Sequence, residues 1–421
     1  MPAKDIRLVC MFARVRMKKS SLLIHILVAL CSCTSAQKQT RSGAGELRIK
    51  TEAAKLPAAY QTEDYLPLLR DKSIAVVANQ TSMVGNAHLV DTLLAMGIRV
   101  EKVFAPEHGF RGDAAAGEHI ADSADKRTGL KLVSLYGKHM KPTAGDLSGI
   151  NAVVFDIQDV GCRFYTYIST LQYVMESCAE QGIDVIVLDR PNPHGFYIDG
   201  PVLQKEFTSF VGMNPVPVVY GMTIGEYAMM VNGEGWMKNK TPCKLKVVRM
   251  RNYSHSDLYQ LPVRPSPNLP NMTAVYLYPS LCFFEGTRVS VGRGTDMPFQ
   301  VIGFPGFHDG DTTFTPHSVP AAPSPPYKDT LCAGMYLSGF EEIYPKRTES
   351  LYLHWLQAMF ASYPGKDKFF TGFFNTLAGN AELQQQLKSG MDEDAIRKSW
   401  QPGLDSFKKI RKKYLLYDDF E

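Results

Sequence analysis

Short apolar runs alternate with helical patterns between residues 73 and 192. Strand-length runs rich in valine and isoleucine predict β-strands, and they are SIAVVAN, IRVEKVFAP, LKLVSLYG, INAVVFDIQDVG and IDVIVLDRPNP. HLVDTLLAMG and YTYISTLQYVMESCAEQG have helical spacing, and each ends in a glycine that suits a helix terminus. Because strands that are apolar on both faces alternate here with helices, the pattern predicts βαβ units and a parallel sheet.

A change of pattern after Trp236 predicts a second domain. The stretch before it, MTIGEYAMMVNGEGW, predicts a helix in which Thr223 is the N-cap and Glu226 completes a capping box. Beyond it, KLKVVRM predicts a strand, PVRPSPNLPNM and VPAAPSPPY predict loops, and the residues after 346 are mostly helical with a possible strand near FFTGFF. We therefore divide the folded chain into an α/β domain of residues 56–237 and a smaller α/β domain of residues 238–421.

The first 36 residues predict an export signal. A lysine pair follows Met17 and precedes the apolar run 22–30, which is too short for a stable membrane span. The residues before Met17 fit a signal poorly, so we expect translation to start there. Cys33 resembles the lipidated cysteine of a bacterial lipoprotein, and cleavage after Ala36 is the alternative. Residues 37–55 are polar and predict a flexible tether, so we expect an exported protein that is periplasmic or anchored at the outer membrane.

Composition and short motifs limit the partners, cofactors and metals that we expect. The chain has 421 residues, 45% of them hydrophobic, and a formal net charge of +4, which fits two globular domains and gives no reason to expect a nucleic-acid partner. Five cysteines remain after the signal and contain no C-x-x-C, so neither a disulfide framework nor a thiolate zinc site is expected. The sequence has no G-x-G-x-x-G between strand and helix, no P-loop and no H-E-x-x-H, so we expect neither a cofactor nor a metal.

Polar side chains follow four of the predicted strands. They are Asn79 with Gln80, Glu107 with His108, Asp156 with Asp159, and Asp189 with Arg190 and Asn192. Ligands of an open parallel sheet bind outside the carboxyl ends of its strands, so these side chains predict a site at that edge. Loop contacts, or helix capping by Asp159, are the alternative explanations for single members of the set.

The segment FFEGTRVSVGRGTD supplies a second polar cluster. Its Glu285, Arg288 and Arg293 stand among glycines that would let a ligand approach the backbone closely. The planar fork of arginine suits a carboxylate or phosphate, although a polar surface hairpin would have the same pattern. Carboxylates with nearby arginines favour general acid and base chemistry on a polar, anionic substrate.

Several longer motifs resemble the bacterial exo-β-N-acetylmuramidase family of glycoside hydrolases, formerly a domain family of unknown function. They occur in the order FAPEHGFRG, FDIQDVGCRFYTYISTL, LDRPNPHG, PVVYGMTIGEYAMMVNGE, PSPNLPNM and FFEGTRVSVGRGTDMPF, and the resemblance covers nearly all of residues 60–420. It implies a Rossmann-like N-terminal domain without a nucleotide, a smaller C-terminal α/β domain, and an active site in the cleft between them. It also implies release of N-acetylmuramic acid from the non-reducing end of peptidoglycan fragments.

The resemblance suggests a role for each candidate residue. Glu107 would be the general acid, oriented by His108, and Asp156, Asp159 or Glu285 would be the second carboxylate. The candidates for substrate binding are Asn79, Gln80, Arg163, Tyr165, Asn192, Arg288 and Arg293, with the arginines suited to the lactyl carboxylate of muramic acid. Retention, inversion and participation of the substrate's acetamido group all remain open.

Two other functions fit parts of the pattern. One is a metal-dependent deacetylase or amidase acting on cell-wall material. Its cation could be ligated by Glu107, His108, Asp156 and Asp159, although this set contains only one histidine. A two-lobed lipoprotein that binds muramyl sugars without cleaving them is the other alternative. Release of product separates the glycosidase from the binding protein, and removal of metal separates it from the deacetylase.

Overall fold

A parallel β-sheet lies at the centre of the protein. The computed structural model describes residues 54–111, 123–337, 339 and 349–421, so the predicted signal segment, Cys33 and residues 37–53 lie outside the described residues. The strands are β1 (Ser73–Ala78), β2 (Met83–Val84), β3 (Ala87–His88), β4 (Arg99–Ala105), β5 (Ser123–Ala124), β6 (Lys131–Ser134), β7 (Ala152–Asp156), β8 (Asp184–Leu188), β9 (Leu245–Val248), β10 (Val301–Phe304), β11 (Thr312–Phe314) and β12 (Cys332–Tyr336).

The sheet has the strand order of a Rossmann fold. In the described part of the chain its seven strands lie in the order β5-β6-β4-β1-β7-β8-β9. Strands β1, β4, β6, β7, β8 and β9 pair in parallel, and β5 adds an antiparallel edge. Counted along the chain, the parallel strands follow the order 3-2-1-4-5-6, which reverses between β1 and β7 and opens a crevice there. The predicted fold class is confirmed.

Helices cover both faces of this sheet. The α-helices of the described residues are α1 (Thr62–Leu69), α2 (Leu89–Ala95), α3 (Tyr167–Gln181), α4 (Ile224–Gly233), α5 (Met272–Leu281), α6 (His354–Ser362), α7 (Phe373–Ala378), α8 (Glu382–Lys388) and α9 (Glu393–Arg411). Helix α3 ends at Gly182 in the left-handed conformation, and α4 begins with the predicted capping box of Thr223 and Glu226. No helix of the described residues is long and apolar enough to cross a bilayer.

Alternate residues of β1 enter two different cores. Ile74 and Val76 pack with α1 and α2, whereas Ala75 and Val77 pack with α3 and α4. All six residues of β1 are buried, as expected for a strand covered on both faces. Burial on both faces therefore explains the near-continuous apolar run from which a parallel sheet was predicted.

The smaller C-terminal region does not begin at the predicted boundary of residue 237. Strand β9 pairs with β8 in the main sheet, and one apolar core continues into the C-terminal helices. That region contains the antiparallel sheet β10-β12-β11 and α6 to α9. The possible strand near FFTGFF is a single bridge between Thr287 and Phe370, followed by α7, so that suggestion was wrong.

Candidate active site

A pocket lies at the carboxyl ends of β4 and β7 and is closed by segments from the C-terminal part of the chain. Its volume is about 80 Å³. It is lined by Glu107, His108, Phe164, Tyr165, Thr166, Tyr167, Ser266, Asn268, Leu269, Tyr278, Arg293 and Phe299. Because β4 and β7 are the two neighbours of β1, the pocket lies beside the point where the strand order reverses.

Glu107 is presented by a tight turn that directly follows β4. The amide of Gly109 donates to the carbonyl of Pro106 at 3.0 Å, which closes a β-turn with Glu107 and His108 at its centre. His108 has φ 70°, a left-handed conformation that is unusual for a residue other than glycine. Such a conformation persists only where the surrounding contacts enforce it, and it is common at functional sites.

A threonine hydroxyl contacts the carboxylate of Glu107. The Thr166 hydroxyl donates to Glu107 Oε2 at 3.0 Å, and Thr166 is the N-cap residue of α3. Burial, and after it the charge of the nearby Glu107, raises the pKa of Tyr136 to about 12. The carboxylate therefore lies beside the N-terminus of a long helix, where the macrodipole favours negative charge.

His108 lies next to Glu107 and contacts the opposite wall of the pocket. Its Nε2 lies 3.2 Å from the hydroxyl of Ser266, and its Nδ1 is buried with no partner among the described residues. Burial lowers the pKa of His108, an effect that the charge of Glu107 opposes and that of Arg293 reinforces. We therefore expect a neutral imidazole at neutral pH, which can hold a hydroxyl group but adds no charge to the pocket.

Three tyrosines form an aromatic wall. The rings of Tyr165 and Tyr167 meet edge to face at 4.9 Å, and Tyr165 meets Tyr278 at 5.8 Å. The hydroxyl of Tyr165 donates to the carbonyl of Pro265 at 2.9 Å, and Asn79 Nδ2 donates to the hydroxyl of Tyr167 at 2.9 Å. Asn79 thus supports the wall from behind and does not line the pocket, which corrects its predicted role in direct substrate binding.

Arg293 brings positive charge to the pocket from the C-terminal part of the chain. Its Nε lies 2.5 Å from Glu285 Oε1, and its guanidinium lies 5.1 Å from the ring of Phe299. Although burial disfavours the charge, the neighbouring Glu285 carboxylate raises the pKa of Arg293. Because Glu285 occupies Nε, the two terminal nitrogens of the fork are available to a ligand. Glu285 itself does not line the pocket.

Asp156 and Asp159 occupy positions that do not fit the predicted role of second carboxylate. Asp156 forms a buried, bidentate ion pair with Arg190, at 2.6 and 2.8 Å. Asp159 is buried behind the aromatic wall and accepts from the Tyr220 hydroxyl at 2.5 Å and from the Gly161 amide at 2.7 Å. Burial raises the pKa of Asp159 to about 6. Neither carboxylate lines the pocket, which corrects both predictions.

Four predicted substrate contacts also lie outside the pocket lining. The guanidinium of Arg163 is fully buried and donates to the carbonyls of Pro201, Val216, Leu377 and Ala378. Asn192 bridges the backbone of Met222 and His194. Gln80 reaches the carbonyls of Arg264 and Pro265 at 3.3 and 3.2 Å. Arg288 is exposed on the surface. The first three connect segments of the fold, which corrects their assignment to substrate binding, whereas the binding role of Arg288 stays a prediction.

Several site residues were missed by the sequence reasoning. They are Thr166, Tyr167, Ser266, Asn268, Tyr278 and Phe299. These residues lie in helices and loops, where no periodic pattern marks a side chain as facing a cavity.

The pocket combines a glutamate, aromatic rings and an arginine at the edge of a Rossmann-type sheet, and this combination suits a hydrolase that acts on acidic sugars. Family models described as exo-β-N-acetylmuramidase NamZ match residues 74–273 with the N-terminal domain and residues 276–417 with the C-terminal domain. The chain therefore belongs to the NamZ family of exo-β-N-acetylmuramidases, which are glycoside hydrolases.

Individual relatives agree with this assignment. The chain is 38% identical over 377 residues to the peptidoglycan β-N-acetylmuramidase NamZ of Bacillus subtilis (strain 168), covering 84% of this chain and 89% of that protein. A DUF1343 family protein of Bacteroides fragilis NCTC 9343 has a crystal structure with TM-score 0.81 and 43% identity, covering 87% of this chain and 100% of that chain. A second DUF1343 protein of the same strain has TM-score 0.74 and 28% identity, covering 86% and 98%.

Proposed function

We propose that this protein removes N-acetylmuramic acid from the non-reducing end of peptidoglycan fragments, with Glu107 as general acid. One observation supports this role above the others. Glu107 is the only carboxylate among the described residues that line the pocket, and it is presented there on a constrained turn. The family assignment supplies the reaction class, and this position supports Glu107 as the general acid.

The other pocket residues have roles that follow from their chemistry. Glu107 gives its proton to the oxygen that leaves with the second sugar, since a glycosidic oxygen is a poor leaving group unless protonated. The aromatic wall of Tyr165, Tyr167 and Tyr278 supplies apolar surface for a sugar ring. The terminal nitrogens of Arg293 pair with the lactyl carboxylate, and Glu285 keeps the guanidinium in place.

The proposed general acid is tested by comparing two leaving groups. Glu107→Gln should lower turnover of the disaccharide of N-acetylmuramic acid and N-acetylglucosamine by about 100- to 10,000-fold, the usual contribution of a general acid. Its effect on 4-nitrophenyl β-N-acetylmuramide should be much smaller, because nitrophenolate leaves without protonation. Glu101→Gln is the matched control, since Glu101 is an exposed glutamate on β4, the strand that precedes Glu107.

The same assay separates the competing functions. Disaccharide turnover at the wild-type rate in Glu107→Gln would remove Glu107 from the acid role. Release of acetate with the glycosidic bond intact would indicate the deacetylase, and a bound sugar recovered uncleaved would indicate the binding protein. No group of three or more metal-ligating side chains lies together among the residues that the structure describes.

We propose further that the protein is exported and lipidated at Cys33. The support for this is the lysine pair and apolar run before that cysteine, together with a substrate that lies outside the cytoplasm. A tether of residues 37–55 would then hold the enzyme near the membrane while leaving the pocket free to reach wall fragments.

A further inference from the structure

Arg111 anchors the turn that presents Glu107. It follows Glu107 in the motif FAPEHGFRG, and its fork pairs with both oxygens of Asp125, Nε with Oδ1 at 2.9 Å and Nη2 with Oδ2 at 2.8 Å. The same guanidinium reaches Asp91 at 3.3 Å, and its Cζ lies 4.7 Å from the centre of the Phe110 ring. Two carboxylates and an aromatic ring therefore hold this arginine where the chain leaves the turn.

The partners of Arg111 belong to elements that flank β4. Asp125 follows β5, and the amide and the hydroxyl of Thr128 both donate to its Oδ2, at 3.0 and 2.6 Å. Asp91 lies in the first turn of α2, which packs in the same apolar core as Phe110. Because β5 pairs with β6 and β6 pairs with β4, the sheet sets the position of Asp125 relative to the turn.

The pairing between Arg111 and Asp125 holds the turn in one direction. Asp125 is buried, and the side chains of Arg111 and Asp91 are 25% and 12% exposed, so water screens these charges only in part. The hydrogen bonds from Arg111 hold the pKa of Asp125 well below its usual range, so Asp125 is ionised at neutral pH. Bidentate pairing fixes orientation as well as distance. The left-handed conformation of His108 is thus enforced from both sides, by β4 before it and by Arg111 after it.

We propose that Arg111, through its pairing with Asp125, is a positioning residue that keeps Glu107 within reach of the leaving oxygen of the substrate. This inference rests on the acid role proposed for Glu107. Without the fork of Arg111, the turn relaxes from the left-handed conformation of His108, and the Glu107 carboxyl group moves away from the Thr166 hydroxyl that now lies at 3.0 Å. A displacement of about 1 Å costs on the order of 100-fold in rate, because proton transfer requires hydrogen-bond distance.

The first experiment uses Arg111→Met, which keeps a long side chain beside Phe110 and removes the fork. We expect kcat on the disaccharide to fall about 10- to 100-fold, with KM changed by less than about threefold. The loss on 4-nitrophenyl β-N-acetylmuramide should be much smaller, because nitrophenolate leaves without protonation. A variant that merely contained less folded protein would lose both rates equally. Asp125→Asn removes the charge at the other end of the pair and should give the same pattern.

A double-mutant cycle tests whether Arg111 acts through Glu107. In protein that already carries Glu107→Gln, adding Arg111→Met should lower the residual disaccharide turnover by less than about twofold, because no acid remains to be positioned. Losses that arise independently would multiply instead. If Arg111→Met folds poorly, the same cycle is run with Arg111→Lys, which keeps the charge and should lose less, since an ammonium group cannot pair bidentately.

Arg127→Met is the matched control. Arg127 pairs with Asp91 at 3.1 Å, so it belongs to the same cluster of charges as Arg111. Its side chain is exposed, however, and it lies outside the turn that carries Glu107. The variant should therefore keep the wild-type rate on both substrates.

Several outcomes would overturn the inference. A wild-type kcat in Arg111→Met would do so, as would an equal loss with both leaving groups or losses that multiply fully in the cycle. An equal loss in Arg127→Met would contradict it as well, because the whole cluster would then support the fold in general. Failure of the acid role is distinguishable, since it would appear as full disaccharide turnover in Glu107→Gln, where Arg111 is intact.

Discussion

Removal of the Arg293 fork should abolish discrimination in favour of the muramyl sugar. N-acetylmuramic acid differs from N-acetylglucosamine by its lactyl group, which carries a carboxylate. Glu285 occupies Nε of Arg293 at 2.5 Å, so the two terminal nitrogens remain for that carboxylate. A hydrogen bond to a charged group contributes about 1.5–3 kcal/mol.

Partial exposure of Arg293 reduces the energy of these hydrogen bonds, because solvent screens the charges. Its side chain is 26% exposed, so we take about 2–3 kcal/mol for the pair of bonds together. That free energy corresponds to a loss of about 30- to 150-fold in kcat/KM. Arg293→Gln should therefore lose this factor on 4-nitrophenyl β-N-acetylmuramide, and the weak hydrolysis of the matching N-acetylglucosaminide should change by less than about threefold.

Steady-state kinetics on the two nitrophenyl glycosides measure this difference directly. Arg288→Gln provides the control, because Arg288 lies in the same segment but is exposed on the surface. Arg293→Lys should recover only part of the loss, since an ammonium group keeps the charge without the bidentate geometry. Equal losses on both substrates would show that Arg293 acts on a part of the sugar that they share, and the lactyl assignment would then be abandoned.

Two further predictions concern stability and export. The folded pKa of Asp159, about 6, is raised above its unfolded value, so its contribution to the free energy of unfolding is fully present below about pH 4 and is lost as pH rises through 6. Asp159→Asn should remove on the order of 2–3 kcal/mol of that pH dependence in urea titrations between pH 4 and 7, and an unchanged slope would contradict the assignment. Cys33→Ser should release the protein from the membrane fraction and abolish labelling by a fatty-acid analogue, and persistent labelling would exclude Cys33.

The sheet could be predicted from the sequence because its physical cause is local. Each parallel strand is buried on both faces, so its apolar residues are continuous and the run is visible without knowledge of its neighbours. Helix ends were visible for the same reason, since Thr223 and Glu226 form a capping box within a single turn. The domain boundary failed because β9 joins the sheet through pairing with β8, a long-range contact that leaves no local sign.

The sequence predicted where the site lies, but not which side chains line it. The strand-end rule placed Glu107 and His108 correctly at the crevice, but it could not tell which polar side chains point into the crevice and which turn back into the fold. Arg163 illustrates the limit, since a buried arginine that donates to four backbone carbonyls has the same sequence context as a ligand-binding one. Its partners come from segments more than a hundred residues apart in some cases, and no spacing rule reaches that far.

The acidic residues at the strand ends differ in their hydrogen-bond and ion-pair partners. Asp156 is neutralised by Arg190, and Asp189 accepts from Thr223 and Tyr417 beneath the C-terminal segment. Each of these buried carboxylates has its lone pairs committed to the protein, as buried charges require, and neither has a free edge for a ligand.

Glu107 has the opposite surroundings. It accepts a hydrogen bond from the Thr166 hydroxyl, pairs with no cation through a salt bridge among the described residues, and faces a cavity. A carboxylate that is held only by neutral hydrogen-bond donors can gain a proton without leaving a buried cation unpaired. If the ion-paired Asp156 gained a proton, the buried cation would lose its partner. The fold thus commits Asp156 and Asp189 to structural contacts, and the surroundings of Glu107 fit the proton transfer that we propose for it.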